Sequence, residues 1–171
     1  GQQPASNLTG CWQRIDGINS KMLNFLENHD EMRLASSMFL DNPQLALPAV
    51  VASLTMSKAP FMLYFGQELG EKGDCAEGFS GHDGKTTIFD YWSLNTVRRW
   101  YDNGMCDNRL LAKSEITLRS YYEWILNLTN SVPALCNGDF FDLMYVNNGN
   151  LNFQSNYAYL RHSTSETVLI V

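Results

Sequence analysis

The strongest constraint on this chain is the alternation of its first half. Lys21–Phe25 and Ala59–Phe65 read as short buried strands, with a helix-type segment between them. Asp41 or Asn42 is placed to cap that helix, with Pro43 at its first position. The helix is expected through Ala46–Ser57; Pro48 falls in its first turns, where a missing N–H costs little. Strand, helix and strand in that order, with continuous apolar strands, argue for parallel α/β packing.

The flanking segments fill out the order. Leu8–Ile18 is expected as a helix, with Cys11, Trp12, Ile15 and Ile18 at helical spacing, and Asp30–Met38 as a loop and short helix. A Gly- and Asp-rich excursion runs from Glu68 to Asp107. Ser114 is expected to cap an amphipathic helix in which Leu118, Tyr121, Tyr122, Ile125 and Leu128 recur at three- and four-residue steps, and Pro133 to stop it. Strands are expected from about Phe140, with Tyr157–Arg161 and Thr167–Val171 around the polar turn Ser163–Glu166. The change near Ser131 divides the chain into an α/β part, residues 1–130, and an all-β part, residues 131–171. Two strands cannot close a barrel, and an eight-stranded one takes about 250 residues. The α/β part therefore reads as a slice of something larger, with both ends of the chain expected to be cut through structure.

Composition narrows the partners. The chain has 171 residues, 44% hydrophobic and 12% aromatic, the make-up of a folded protein. Its net charge of −6 and the lack of any Lys/Arg cluster argue against nucleic acid, while a neutral substrate such as a sugar fits. No apolar run is long enough to span a membrane. Cys11, Cys75, Cys106 and Cys136 show no CxxC spacing, which argues against structural zinc and leaves disulfides and buried free thiols both open.

The chemistry-bearing residues cluster after the first strand, in Phe25-Leu-Glu-Asn-His-Asp30. The C-terminal edge of a parallel sheet is where catalytic side chains collect, and an imidazole beside a carboxylate there suits sugar or phosphate chemistry. On position alone, the favoured reading is Asp30 as a helix cap and His29 as a satisfied edge residue. Glu27, Asn28 and Glu31 flank the pair, and the oxygen and imidazole donors together allow a metal reading, although adjacent residues rarely aim at one ion. Gln67 and Glu68 follow the second strand at the same edge; Glu68 suits either a structural carboxylate bonded to loop backbone or a substrate contact. Arg33, in a polar loop, is expected to pair with a nearby acid. In the excursion, Gly81 and Gly84 around His82-Asp83 mark a tight turn. Phe89, Tyr91, Trp92, Trp100 and Tyr101 suit either a sugar-stacking wall or the packing of that loop onto its scaffold.

These residues resemble the α-amylase family, glycoside hydrolase family thirteen. Phe25-Leu-Glu-Asn-His-Asp30 is similar to its Phe-x-x-Asn-His-Asp signature. Pro60-Phe-Met-Leu-Tyr-Phe-Gly-Gln-Glu-Leu-Gly70 is similar to the family's eighth-strand pattern, with Lys58-Ala59 in place of the usual Gly-Thr. Leu118–Phe141, with Pro133-Ala-Leu-x-x-Gly138, resembles the last barrel helix and its exit, and Tyr157–Val171 the opening strands of a C-terminal β-sandwich.

The resemblance implies strands seven and eight of a (β/α)8 TIM barrel followed by part of a sandwich. It further implies a retaining enzyme of α-glucosidic bonds in starch-like oligosaccharides or polysaccharides. Of the family's three carboxylates it places only the third, Asp30, which holds the 2- and 3-hydroxyls of the sugar beside the cleaved bond. His29 donates to the same sugar, Asn28 supports substrate binding, and Glu68, Gln67 and Arg33 are structural or substrate contacts. No segment matches the nucleophile or the acid/base, so the chain alone is expected to be inactive. The family's calcium sites fall largely in segments that match nothing here, and no metal or other cofactor is assigned. An extracellular or periplasmic setting fits a polysaccharide enzyme, although no residue assigns a compartment. Two other readings stay open: a non-catalytic carbohydrate-binding or transport-associated protein on the same scaffold, and a metal-dependent hydrolase using Glu27, His29 and Asp30.

Two parallel strands without further neighbours leave two unpaired edges, which invites pairing between copies. Light scattering across micromolar concentrations should show self-association; a compact monomer throughout that range would contradict it.

Overall fold

The computed structural model describes residues 3–74, 82–89, 93–147 and 154–171. They form a mixed helix and sheet structure in two compact units. One unit takes in residues 1–23, 54–60 and 127–171, the other residues 24–53 and 61–126. The sequence boundary near 130 falls close to one of these transitions, but the chain also crosses between units at three earlier places.

The helices are α1 (Asn7–Arg14), α2 (Leu47–Thr55), α3 (Asn95–Tyr101), α4 (Lys113–Ser131) and α5 (Pro133–Asn137). The strands are β1 (Asn24–Phe25), β2 (Phe61–Met62), β3 (Asp139–Asp142), β4 (Tyr159–His162) and β5 (Thr167–Ile170). In the unit of residues 24–53 and 61–126, β1 pairs with β2 in parallel, Asn24 opposite Phe61 and Phe25 opposite Met62. This ladder is shorter than the expected strands. Lys21 closes a 3-10 turn instead, and beyond Tyr64 the chain turns at Gly66, whose φ of +82° is a left-handed conformation that glycine adopts freely. Residues 30–38 form bends and turns, with no helix among them. Asn42 does cap the next element, accepting from the Gln44 N–H at 3.0 Å with Pro43 at the first position, and a short 3-10 segment leads into α2.

Helix α4 lays Leu118, Tyr122 and Ile125 inward, all buried, at the spacing that one helical face requires. Burying each such side chain stabilises by about 1.5–3 kcal/mol. Leu118 packs at Gly70, and Tyr122 receives a hydrogen bond from Gln67 Nε2 at 2.9 Å. The start of α4 is fixed by Glu115 rather than Ser114. Its Oε2 reaches back to accept from the Ala112 N–H at 2.7 Å, the carboxylate half of a capping box. Helix α3 lies inside what reads from the sequence as an excursion. Gly78–Gly81, Tyr91, Trp92 and Cys75 lie outside the described residues.

A buried ion pair anchors this unit. Arg33, fully buried, donates from Nη1 to Glu27 Oε2 at 2.8 Å, from Nε to Thr86 Oγ1 at 2.8 Å and from Nη2 to the Phe65 carbonyl at 2.9 Å. Its guanidinium lies over the rings of Tyr64 and Phe65, 4.3 and 5.0 Å from their centroids. Glu27 Oε1 accepts from the Leu34 N–H at 2.6 Å.

The other unit is built on an antiparallel sheet of order β3-β4-β5. Phe141 stands opposite Leu160, and Leu160 opposite Leu169. Met144, Tyr157 and Tyr159 form its core, with Leu8, Met56, Phe140 and Ile170 packed against them. Pro133 begins α5 rather than simply ending α4. Gly138 follows because a Cβ there would lie 2.3 Å from the Ala134 carbonyl and 2.6 Å from that of His162. Two polar hubs hold these elements. Arg161, fully buried, donates to the carbonyls of Thr55 at 2.6 Å, Gly138 at 2.7 Å and Leu135 at 3.2 Å. Asp142 Oδ2 accepts from Thr9 Oγ1 at 2.6 Å, Tyr157 Oη at 2.7 Å and Trp12 Nε1 at 3.0 Å, and its Oδ1 accepts from the Met144 N–H at 2.6 Å. Of the cysteines, Cys11 and Cys106 are free and exposed, contrary to a buried-thiol reading, and Cys136 is half-buried with its Sγ donating to the Thr129 carbonyl.

Burial alone would raise the Asp142 carboxyl, but the hydrogen bonds from Thr9, Tyr157, the Met144 N–H and Trp12 outweigh it and hold the group below its ordinary value. A carboxyl lowered on folding stabilises the native state above its unfolded value, about 3.9, and that contribution fades as pH falls through the folded value. Asp142→Ala should cost about 2 kcal/mol at neutral pH. It should also flatten the acid limb of the stability profile below about pH 4, measured by thermal melts; parallel acid limbs in the two proteins would contradict the assignment. Arg33→Met should destabilise by about 3–5 kcal/mol, because Glu27 is left buried and unpaired. Denaturant melts check this, and adding Glu27→Leu should recover part of the loss, a non-additivity that an unimportant pair would not give.

Candidate functional site

Residues 27–33 are a short loop clamped at both ends. Glu27 and Arg33 point inward and meet, so the residues between them bulge toward solvent. Burial pushes the Glu27 carboxyl up, and the Arg33 charge, the Arg33 hydrogen bond and the Leu34 N–H pull it back. Asn28 shapes the bulge: its Oδ1 accepts from the Asp30 and Glu31 N–H groups, both at 2.8 Å, an Asx turn that fixes the backbone of Asp30. His29 and Asp30 then stand side by side, Nε2 to Oδ2 3.3 Å, with their side chains 47% and 70% exposed. No helix follows Asp30 for it to cap. An exposed carboxylate offers hydrogen-bond acceptors to a ligand, and the adjacent imidazole offers a donor or an acceptor according to its tautomer.

The other sequence-derived candidates are not all brought to this pair. Gln67 is buried and committed inward, Nε2 to Tyr122 and Oε1 accepting from the Tyr64 N–H at 3.4 Å. Arg33 is spent on Glu27, Thr86 and Phe65. Glu68 is half-buried, and among the described residues its Oε2 is a buried oxygen without a hydrogen-bond partner. Burial pushes its carboxyl up, opposed by hydrogen bonds to local backbone and by the charges of Arg119 and Arg33. Because β1 and β2 are parallel, the segments beyond them, with Asn28–Asp30 and Gln67–Glu68, leave from the same edge of the sheet.

The metal reading of this segment loses Glu27, both of whose oxygens are bonded inside the protein. Among the described residues no three His, Cys, Asp or Glu side chains come together as a metal site. The importance of Glu27 as an anchor is missing from the sequence reading. Its signal is an acid six residues before an arginine, immediately ahead of the apolar Leu34-Ala35 that the pair buries with it.

No protein-family model matches the chain, and no curated protein matches it. Among solved structures, the chain is similar to a mutant isomaltulose synthase from Erwinia rhapontici NX5 in complex with its natural substrate sucrose. The TM-score is 0.54 at 21% sequence identity, over 99% of this chain and 38% of that one. At this identity the likeness is one of fold: the described helices and two small sheets follow a part of that enzyme, of which this chain spans 38% of the length.

Proposed function

We propose that this chain is part of an α-amylase-like glycoside hydrolase that acts on α-glucosidic bonds of starch-like oligosaccharides or polysaccharides by a retaining mechanism. In this reading β1 and β2 are the seventh and eighth strands of a partial (β/α)8 barrel. Residues 1–130 belong to that barrel and 131–171 to the start of a β-sandwich. The observation that carries the proposal is the exposed His29–Asp30 pair, held on the Glu27–Arg33 clamp at the strand-end edge of a parallel sheet. The fold likeness to an enzyme solved with sucrose, itself an α-glucoside, supports it.

The proposed role of Asp30 is to bind the distorted sugar. Glycosidic cleavage passes through an oxocarbenium-like state, and a carboxylate that accepts hydrogen bonds from ring hydroxyls more strongly in that state lowers the barrier. His29 donates to the same sugar, and Asn28 holds the turn that aims them. Retaining chemistry also needs a nucleophile and an acid/base carboxyl about 5–5.5 Å apart. The family resemblance assigns neither to these residues, so the chain by itself is proposed to bind glucan without cleaving it.

Calorimetry and product analysis with maltotriose test both halves. The expected result is binding without hydrolysis, with Asp30→Ala weakening binding about 10- to 100-fold through loss of charge-assisted hydrogen bonds. Unchanged affinity in Asp30→Ala would overturn the role of this residue. Turnover of maltotriose by the chain would overturn its proposed inactivity.

A further inference from the structure

A cavity of about 800 Å³ opens along α3 and the turn after it. None of the residues 27–33 or 67–68 lines it. Its volume lies within the range of about 300–1,000 Å³ typical of small-molecule sites. Two charges in its wall are already satisfied. Arg99 forks onto Glu115, with N···O distances of 2.6 and 2.5 Å, and Asp102 pairs with Arg109. What the cavity offers is Tyr101, 54% exposed, the indole of Trp100, and the side chains of Arg98, Asn95 and Asn103, which have no hydrogen bonds among the described residues.

Two further observations mark this place. Among the described residues the Trp100 indole N–H is buried without an acceptor, a rare state for such a group. Asp102 and Asn103 hold left-handed backbone, φ +40° and +55°, ahead of Gly104 at +94°. Strain of this kind in non-glycine residues gathers at functional sites.

We propose that the α3 cavity binds a neutral oligosaccharide. Aromatic faces take up the C–H side of a sugar ring, while amides and a guanidinium meet its hydroxyls and ring oxygens. With Arg99 and Asp102 internally paired, Arg98 is the one cation without an ion pair among the described lining residues, too little for a phosphorylated or polyanionic ligand on a chain of net charge −6. The site shares its ligand class with the Asp30 reading and stands on separate residues.

The test is amide-resolved NMR of the whole isotope-labelled chain titrated with maltotriose, and separately with glucose 6-phosphate. Expected are shifts over residues 95–103 that persist in Asp30→Ala. Those shifts should need about tenfold more sugar in Tyr101→Ala and in Arg98→Ala, both exposed positions where folding is undisturbed. Shifts confined to residues 26–33 would overturn this site while leaving the Asp30 reading intact. No shift in either region would overturn both. Tighter binding of glucose 6-phosphate than of maltotriose at residues 95–103 would overturn the neutral ligand class.

Discussion

The Glu27–Arg33 ion pair is the constraint on which the unit of residues 24–53 and 61–126 depends. Desolvating two charges is costly, and the cost is offset only when every donor and acceptor is met. Here that demand recruits distant chain: Phe65 supplies a carbonyl, Thr86 a hydroxyl, Leu34 an N–H, and Tyr64 and Phe65 their ring faces. The segments after β1, after β2 and before α3 are thereby tied to one guanidinium. A lysine could not do this, because it lacks the planar fork. The exposed His29–Asp30 pair inherits its position from the clamp, with the Asn28 turn setting the path between the two anchors.

The sheet unit uses the same principle with each sign separately. Arg161 has no carboxylate partner among the described residues and instead gathers carbonyls at the ends of α2 and α5, where the helix dipoles favour a cation. Asp142 gathers four donors, two from side chains of α1, one from Tyr157 and one from backbone. Each hub joins segments that are far apart in sequence and that apolar packing alone would align less specifically. Such networks favour one arrangement, since any alternative strands a buried charge.

The two places with ligand-ready chemistry differ in kind. The 28–30 bulge offers a charged acceptor and an imidazole in solvent, suited to hydroxyl recognition where charge develops. The α3 cavity offers aromatic surface and amides with its wall charges mostly paired, suited to holding a neutral chain without acting on it. In the proposed reading, a polymer substrate would engage both kinds of contact to advantage, because a second hold raises its effective concentration at the first.

Local signals carried much of the fold in the sequence. The Asn42–Pro43 start, the Leu118–Tyr122–Ile125 face and the Ser163–Glu166 turn depend on neighbours within a few residues, and each is present in the structure. The Phe25–Asp30 segment was equally legible as a candidate edge site. Helix α3 was not, because its seven residues sit among glycines and aspartates and draw their order from packing of Thr96 and Leu94 in the interior. Nor did the sequence reveal that Glu27 and Gln67 turn inward while Asp30 turns outward. All are polar residues near strand ends, and only tertiary partners distinguish them: Arg33 and the Leu34 N–H capture Glu27, and Tyr122 captures Gln67. Sequence determined which segments form because short-range hydrogen bonding and periodicity are encoded locally. The tertiary structure decided which polar groups are structural and which remain free for a ligand, because that depends on long-range partners and on the cost of burying a charge without one.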